Sequence, residues 1–497
     1  MAASKNKYIG GNKMKRSLTK WMLATTATLG LLAGVTGCGN SDKKDAGKSE
    51  TPTLLMYEIG QRPKNFDTLL KTVNKTMKEE AGVELDIQFI DYGDYKKKMS
   101  VIVSSGENYD IAFADNYVVN AQKGAYADLT ELLPKYAKEA YEQLDSAYVE
   151  GNKVNDKLYA FPVNGNVYSQ QVFAFDKAYL DKYDLDISPV KSYSDLEPLF
   201  EVVKKNEPTL ALVATGPNFK VNENVDYIVD NNLPFVVRTS GDTSKIFSIY
   251  DMPEAQEDLR TMHNLYKKGY IQKDAATSSN TYPLGSQTWF MRAETQGPYD
   301  YGDTILTNAA GREIISVPIT DKVKKSSNVR MANFVISSTS KYQEEAVKAL
   351  NILNSNPEVM NTLVYGIEGE SWEKVGDSSV KLLDGYQPDT HLSGWNVGNN
   401  RIIYTPENIT PEQIEERDKN IQSATSSPIL GFNFVPDNVK TEITNISNVM
   451  SKYQSGLNTG TLDPDETIPK MNEELQSAGM KKVLEEIQTQ YDAFLKS

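Results

Sequence analysis

The chain has 497 residues, with 67 acidic against 53 basic side chains and a formal net charge of −14. That length admits two or three domains, and the acidic balance argues against nucleic acid or an anionic membrane surface as the main partner. A single Cys rules out any intramolecular disulfide.

The N-terminus carries Lys5, Lys7, Lys13, Lys15, Arg16 and Lys20, with no acid before Cys38. The apolar run from Trp21 to Leu32 is shorter than the about 20 residues that span a bilayer. A basic stretch ahead of a short apolar run is the pattern of a secretory signal, and Met14-Lys15-Arg16 would serve equally as its start. Val35-Thr36-Gly37-Cys38 resembles a bacterial lipobox, in which the thiol takes diacylglycerol before cleavage on its N-terminal side. A free thiol outside the cell is an oxidation hazard, which acylation of Cys38 removes; the alternative is an ordinary signal peptide with an incidental Cys. Residues 1–37 are therefore expected to be a lipoprotein signal peptide. The polar stretch 38–52 is expected to be a flexible tether, with diacylglycerol supplying the two acyl chains that stable anchoring takes.

Leu54-Leu55-Met56-Tyr57 predicts a strand, broken by Gly60-Gln61-Arg62-Pro63. Asp67 to Glu80 predicts a helix, with Leu69, Leu70, Val73 and Met77 on one face and Gly82 at its C-terminal cap. Val83, Leu85, Ile87 and Phe89 alternate with polar residues as a strand does. Asp94 to Val103 is helical, with Tyr95, Met99 and Ile102 on one face, and Tyr109 to Ala114 is a third strand. This β-α-β-α-β order implies a parallel sheet with right-handed crossovers. Ligands bind outside the carboxyl ends of such strands, which points to the loops Tyr57 to Lys64 and Asp115-Asn116-Tyr117.

Val154 to Val163 reads as a strand pair, Val172 to Phe175 as a strand, Asp195 to Lys205 as a helix and Leu210 to Val213 as a strand. Alternation thus restarts after about residue 165, which predicts a second αβ lobe. Ile314 to Val317 and Ala332 to Ile336 read as strands and Tyr342 to Leu353 as an amphipathic helix. The C-terminal part is mostly helical, over Val439 to Tyr453 and Ile468 to Leu495.

Ser104-Ser105-Gly106-Glu107-Asn108-Tyr109-Asp110-Ile111 resembles the small-residue turn and Asp-opened strand of family 1 extracellular solute-binding proteins, the group that includes maltose-binding protein. Ala121 to Leu129, with Gly124 and Asp128-Leu129, and Asp176-Lys177-Ala178-Tyr179-Leu180 fit the same family. Tyr365-Gly366-Ile367-Glu368-Gly369, Gly398-Asn399, Leu430-Gly431-Phe432 and Ala478-Gly479 resemble LipO-type lipoproteins, Gram-positive members with an extra C-terminal domain. Ser371-Trp372 departs from the His-Tyr or Asp-Tyr pair more frequent there. The resemblance spans nearly all of the mature chain.

What it implies is an α/β, two-lobed, periplasmic-binding-protein-like fold of type II, with hinge-crossing strands and a mostly helical C-terminal segment. The first lobe would hold 53–163 and about 318–369. The second would hold 164–317 and about 370–426, with 427–497 packed on it. Crossings are expected near Pro162–Tyr168, near Val317–Thr320 and after Gly369. The implied role is capture of a carbohydrate in the cleft and delivery to the permease of an ABC importer at the outer face of the cell membrane. The protein would be a monomer without a cofactor, and not an enzyme.

Closure must be driven by contacts to both lobes at once, because only differential affinity shifts an open–closed equilibrium. From the first lobe the candidates are Tyr57, Gln61, Arg62, Asp115 and Asn116, with Asp115 accepting charge-assisted hydroxyl bonds. Asn164 and Asn166 are candidates between the lobes. Trp289, Tyr299 and Trp395 are expected on the second lobe as stacking platforms: Trp289 precedes Gly297-Pro298-Tyr299, which resembles a Gly-Pro-aromatic stretch of the family's cleft, and Trp395 lies in a polar loop.

The main rival is an exported glycoside hydrolase, which needs two carboxylates some 5–10 Å apart. No HExxH, nucleophile elbow, Walker loop or Cys/His cluster accompanies the acids, and His263 and His391 are far apart. The Asp181-Asp184-Asp186 and Asp463-Asp465 groups lack the spacing of a calcium loop. A third reading is a lipoprotein for peptides or a sensor partner. The sugar itself is left open; Arg62 and Arg292 would suit a uronate or sialate.

Overall fold

The computed structural model describes residues 51–280 and 282–496; the signal peptide, Cys38 and nearly all of the tether lie outside the described residues. Strand β1 (Thr53–Ile59) is followed by helix α1 (Phe66–Glu80), strand β2 (Glu84–Ile90), helix α2 (Tyr92–Ser105) and strand β3 (Ile111–Phe113). β1 pairs in parallel with both β2 and β3, with Met56 opposite Ile87 and Ile111. Strands Asn333–Ile336 and Ala160–Pro162 complete a five-stranded sheet beyond β3, the former running antiparallel to both neighbours.

Local chemistry explains this lobe. α1 buries Phe66, Leu69, Val73 and Met77 on one face, each contributing about 1.5–3 kcal/mol of burial. Gly82 takes a left-handed φ of 69°, one residue beyond the C-cap Ala81, the position at which helices favour Gly. Asn74 locks helix to strand: its Nδ2 donates to Leu85 O at 2.9 Å and its Oδ1 accepts from Leu85 N at 2.8 Å. Asp110 accepts from Leu55 N at 2.9 Å and from Ser340 Oγ at 2.6 Å, tying the entry to β3 to its neighbours.

The second sheet has the order Ile314–Pro318, Gln170–Asp176, Trp289–Gln296, Ala211–Val213. It builds a separate core with Phe173, Phe175, Phe200, Phe290 and Met262. Helices Lys440–Asn458, Pro464–Ser477 and Met480–Phe494 bury Ile446, Met450, Met471, Val483 and Ile487 in that same core. The helix expected over Ile468 to Leu495 is in fact two, parted at Gly479, where a Cβ would stand 2.5 Å from Glu442.

One expected boundary is corrected. Residues after Gly369 pack on the first core, where Trp372, Val380, Leu392 and Val397 are buried. Trp372 Nε1 donates to Gly366 O at 3.0 Å, and Leu392 N to Leu363 O at 2.8 Å. The chain leaves that lobe only between the strand Thr405–Pro406 and the helix Pro411–Ser423, which meets the turn Pro298–Asp300.

Candidate functional site

The topology brings one edge of each sheet to the hinge. On the first lobe, β1, β2 and β3 end at Ile59, Ile90 and Phe113, and the antiparallel strand begins at Asn333 on the same edge. On the second, Gln170 opposes Gln296, so the start of one strand meets the end of the other, beside Pro298 and Tyr299. The connecting segments bridge at Ser169 and Val323, and Thr425–Ser426 pairs with Val323–Lys324.

The first-lobe edge carries an aromatic platform. Tyr92, 53% exposed, stands on Trp395, with ring centroids 6.3 Å apart at 24°. Trp395 meets Phe113 edge-on at 6.2 Å. Beneath lies Glu58, at a buried position of β1, whose Oε1 accepts from Ile59 N at 2.9 Å and from Asn396 Nδ2 at 3.3 Å. Burial pushes its carboxyl well above the usual carboxylate range. Asp115 and Asn116 follow β3. Asn116 adopts a left-handed φ of 44° and donates Nδ2 to Asp115 Oδ2 at 3.1 Å. Burial raises the Asp115 carboxyl, while Lys96 and Asn116 oppose the rise.

A chain of contacts leads from this platform across the hinge. Asn400 Nδ2 donates to Gly394 O at 2.9 Å, and Asn400 N to Asn164 O at 2.8 Å. Gly165 N donates to Tyr148 OH at 2.7 Å. A Cβ on Gly297 would stand 2.8 Å from Asn166 Oδ1, so that turn needs glycine to approach the hinge. Next to it the Arg417 guanidinium lies over the Tyr299 ring at 5.2 Å and donates to Tyr301 OH at 3.2 Å. The Tyr299 hydroxyl is enclosed without a partner, and burial raises its pKa.

The hinge ribbon separates two hollows, as strand alternation requires. One, of about 110 Å³, is lined by Tyr168, Gln170, Gln296, Tyr301 and Arg417. The other, of about 600 Å³, is lined by Ser169, Gln171, Glu223, Tyr227, Lys325 and Arg330, and its size suits a small-molecule ligand.

Asp115, Asn116, Asn164, Asn166 and Tyr299 thus stand along the interlobe edges, and Trp395 does too, but on the other lobe from the one expected. Trp395 packs on the first core because Phe113 and Tyr92 flank it. Asn164 is already engaged, its Nδ2 donating to Gln143 O at 3.1 Å. Gln61 is exposed in the loop after β1. Arg62 is turned to its own helix, bonded to Asp67 at 2.6 Å and lying over Phe66. Tyr57 sits in mid-strand and its hydroxyl reaches back to Glu107 at 3.4 Å, away from the carboxyl edge. Trp289 is no platform: it is 0% exposed. Its Nε1 donates to Pro283 O at 3.3 Å and the Arg312 guanidinium covers its ring at 4.6 Å. The small side chains of Ala174 and Ala211 leave room for the indole inside the lobe.

Tyr92, Glu58, Asn396 and Arg417 escaped the sequence reading. Glu58 had a signal: it follows Leu54 and Met56 at the period of a buried strand face. The others had none, since their partners come from distant segments.

Two family models match the chain: residues 60–360 match one described as bacterial extracellular solute-binding protein, and residues 428–496 match a domain of unknown function, DUF3502. A carbohydrate ABC transporter substrate-binding protein of Streptococcus pneumoniae serotype 4 is 50% identical over 484 residues, covering 96% of this chain and 99% of that protein. The crystal structure of the N-glycan transport solute binding protein NgtS from Streptococcus pneumoniae superposes with a TM-score of 0.87 at 52% identity, over 90% of this chain and 99% of that one. The structure of NgtS in complex with Man5GlcNAc gives 0.73 at the same identity and coverage.

Proposed function

The chain belongs to the bacterial extracellular solute-binding proteins and is the carbohydrate-capturing component of an ABC importer, and from that premise we propose that its cargo is an N-glycan-type oligosaccharide held between the two lobes. The observation that carries the cargo is the relative, 52% identical over nine-tenths of this chain, whose crystal structure contains Man5GlcNAc. The exposed Tyr92 ring and the half-buried Trp395 ring supply apolar faces for sugar C–H groups, and Asp115 and Asn116 supply polar partners for hydroxyls. The lower TM-score with the complex than with NgtS alone supports two lobe arrangements, related by hinge motion about the Ser169–Val323 ribbon.

Within this reading the role is binding without turnover, by a monomer tethered through diacylglycerol on Cys38. The first lobe comprises 53–163 with about 326–404, and the second comprises the remainder of the mature chain, with the C-terminal helices welded to it. The two-lobed geometry favours this over the hydrolase reading, because closure about a solute is its purpose. Calorimetry with Man5GlcNAc, maltose-series oligosaccharides and peptides, beside assays for released sugar, tests the proposal. Tight binding of Man5GlcNAc without cleavage is expected. Preference for maltose-series sugars or peptides overturns the cargo, and turnover overturns the binding role.

A further inference from the structure

The end of β1 seats both rings of the first-lobe platform. Asn396, the residue after Trp395, is 4% exposed and turns its side-chain amide to this strand end: Nδ2 donates to Glu58 Oε1 at 3.3 Å and to Ile59 O at 3.1 Å. Glu58 Oε1 also accepts from Ile59 N at 2.9 Å, so one carboxyl oxygen joins strand and turn. Just beyond the strand, Gly60 has a φ of 126°, and a Cβ there would stand 3.3 Å from the Tyr92 hydroxyl. Tyr92 therefore rests on the backbone beside the carboxyl, and Trp395 is tied to the same strand end through the turn Gly394–Asn396.

Core packing does not account for Glu58. It follows Leu54 and Met56 on the buried face of β1, where an apolar side chain would pack as well. Glu is almost never enclosed unless paired, and the bonds that Glu58 makes, at 2% exposure, are those to Ile59 and Asn396. Asn396 carries the same mark. With its N–H groups turned to β1, its Oδ1 is enclosed without a partner, a rare condition that asks for a reason. Trp395 supplies one. Trp289 and Trp372 donate their indole N–H groups to Pro283 O and Gly366 O at 3.3 and 3.0 Å, whereas that of Trp395 has no acceptor among the described residues and is not enclosed. A held ring with a free N–H at its edge can stack on sugar C–H groups and donate to a hydroxyl beside them.

We propose that Glu58 is a positioning residue of the sugar site: its carboxyl, acting through Asn396, fixes the turn Gly394–Asn396 so that the Trp395 ring stays against Tyr92 with its N–H free for a saccharide hydroxyl. The inference rests on the carbohydrate reading above and adds to it a residue that touches no ligand. Glu58 and Asn396 act as one unit, so the effects of removing them do not add.

Calorimetry with Man5GlcNAc and acrylamide quenching of Trp emission test it on the full mature chain, with Glu58→Gln, Glu58→Leu, Asn396→Ala and the Glu58→Leu/Asn396→Ala pair. Trp289 and Trp372 are buried, so quenching reports Trp395. Glu58→Leu and Asn396→Ala are each expected to lower affinity about tenfold, the scale of one hydrogen bond to a carboxyl group, and to raise quenching in the sugar-free protein. The pair should lose no more than the larger single loss. Glu58→Gln keeps the acceptor oxygen and should bring affinity and quenching back toward wild type. Should Glu58→Leu fail to fold, Asn396→Ala and Glu58→Gln decide the matter. Wild-type affinity and quenching in Asn396→Ala, additive losses in the pair, or binding by Glu58→Gln as weak as by Glu58→Leu overturns the role of Glu58 and leaves the carbohydrate reading intact. Absence of Man5GlcNAc binding by the wild-type chain overturns both.

Discussion

Trp395 lies against Tyr92 with ring planes 24° from parallel, though one comes from the turn Gly394–Asn396 and the other from the start of α2. Neither ring is fully enclosed: Tyr92 is more than half exposed, and Trp395, though packed against the first core, is only half-buried. A large, partly exposed aromatic pair at the edge where ligands bind is a stacking surface. Tyr92→Ala and Trp395→Ala are each expected to weaken oligosaccharide binding tenfold or more while the melting temperature changes by only a few degrees. Titration calorimetry and thermal unfolding of the two variants check this; unchanged affinity in both would remove the platform from the site.

Trp289 should behave in the opposite way. It is fully buried and covered by Arg312, which is itself paired with Asp176 at 2.6 Å. Truncation of a core Trp to Ala creates a cavity that costs about 3–5 kcal/mol. Trp289→Ala is expected to lower denaturant stability by that amount, with any loss of binding tracking the loss of folded protein. Full stability with selective loss of binding would return Trp289 to the ligand.

The Asp176–Arg312 pair has side-chain exposures of 3% and 13%. Removing one partner strands the other charge inside the lobe, a penalty of about 3–5 kcal/mol. Asp176→Asn should therefore unfold at markedly lower denaturant, and the double change Asp176→Asn with Arg312→Met should recover part of the loss. A double variant no more stable than Asp176→Asn would contradict this.

Glu223, on the wall of the larger hollow, links stability to pH. Its folded-state pKa, about 8, lies above the ordinary 4.5, so between these values the folded chain holds a proton that the unfolded chain releases. Stability attributable to the site therefore falls as pH rises from about 4.5 and levels off above about 8. Glu223→Gln removes this dependence. Its melting temperature relative to wild type should rise with pH across that window and then stay constant; a pH-independent difference would show that Glu223 ionises normally.

Cys38→Ser should abolish incorporation of labelled palmitate in the native host and release the protein from the membrane fraction. Continued labelling of the variant would place the lipid elsewhere or dispose of it.

The sequence by itself determined what depends on short-range pattern. The β-α-β-α-β order of the first lobe, the restart near residue 165 and the helical C-terminus all follow from residues that share a face of their own element, which periodicity reports directly. So does the buried register of Glu58, two residues beyond Met56. Tertiary structure decided what depends on who covers that face. Trp289 and Trp395 look alike in a linear chain. One is enclosed because Ala174, Ala211 and Arg312 surround it; the other is left half-open because its neighbours, Phe113 and Tyr92, stand at the rim of a sheet. The late third crossing and the unpartnered Tyr299 hydroxyl were decided the same way. Each depends on segments distant in sequence meeting in a low-dielectric space, and no local pattern encodes that meeting.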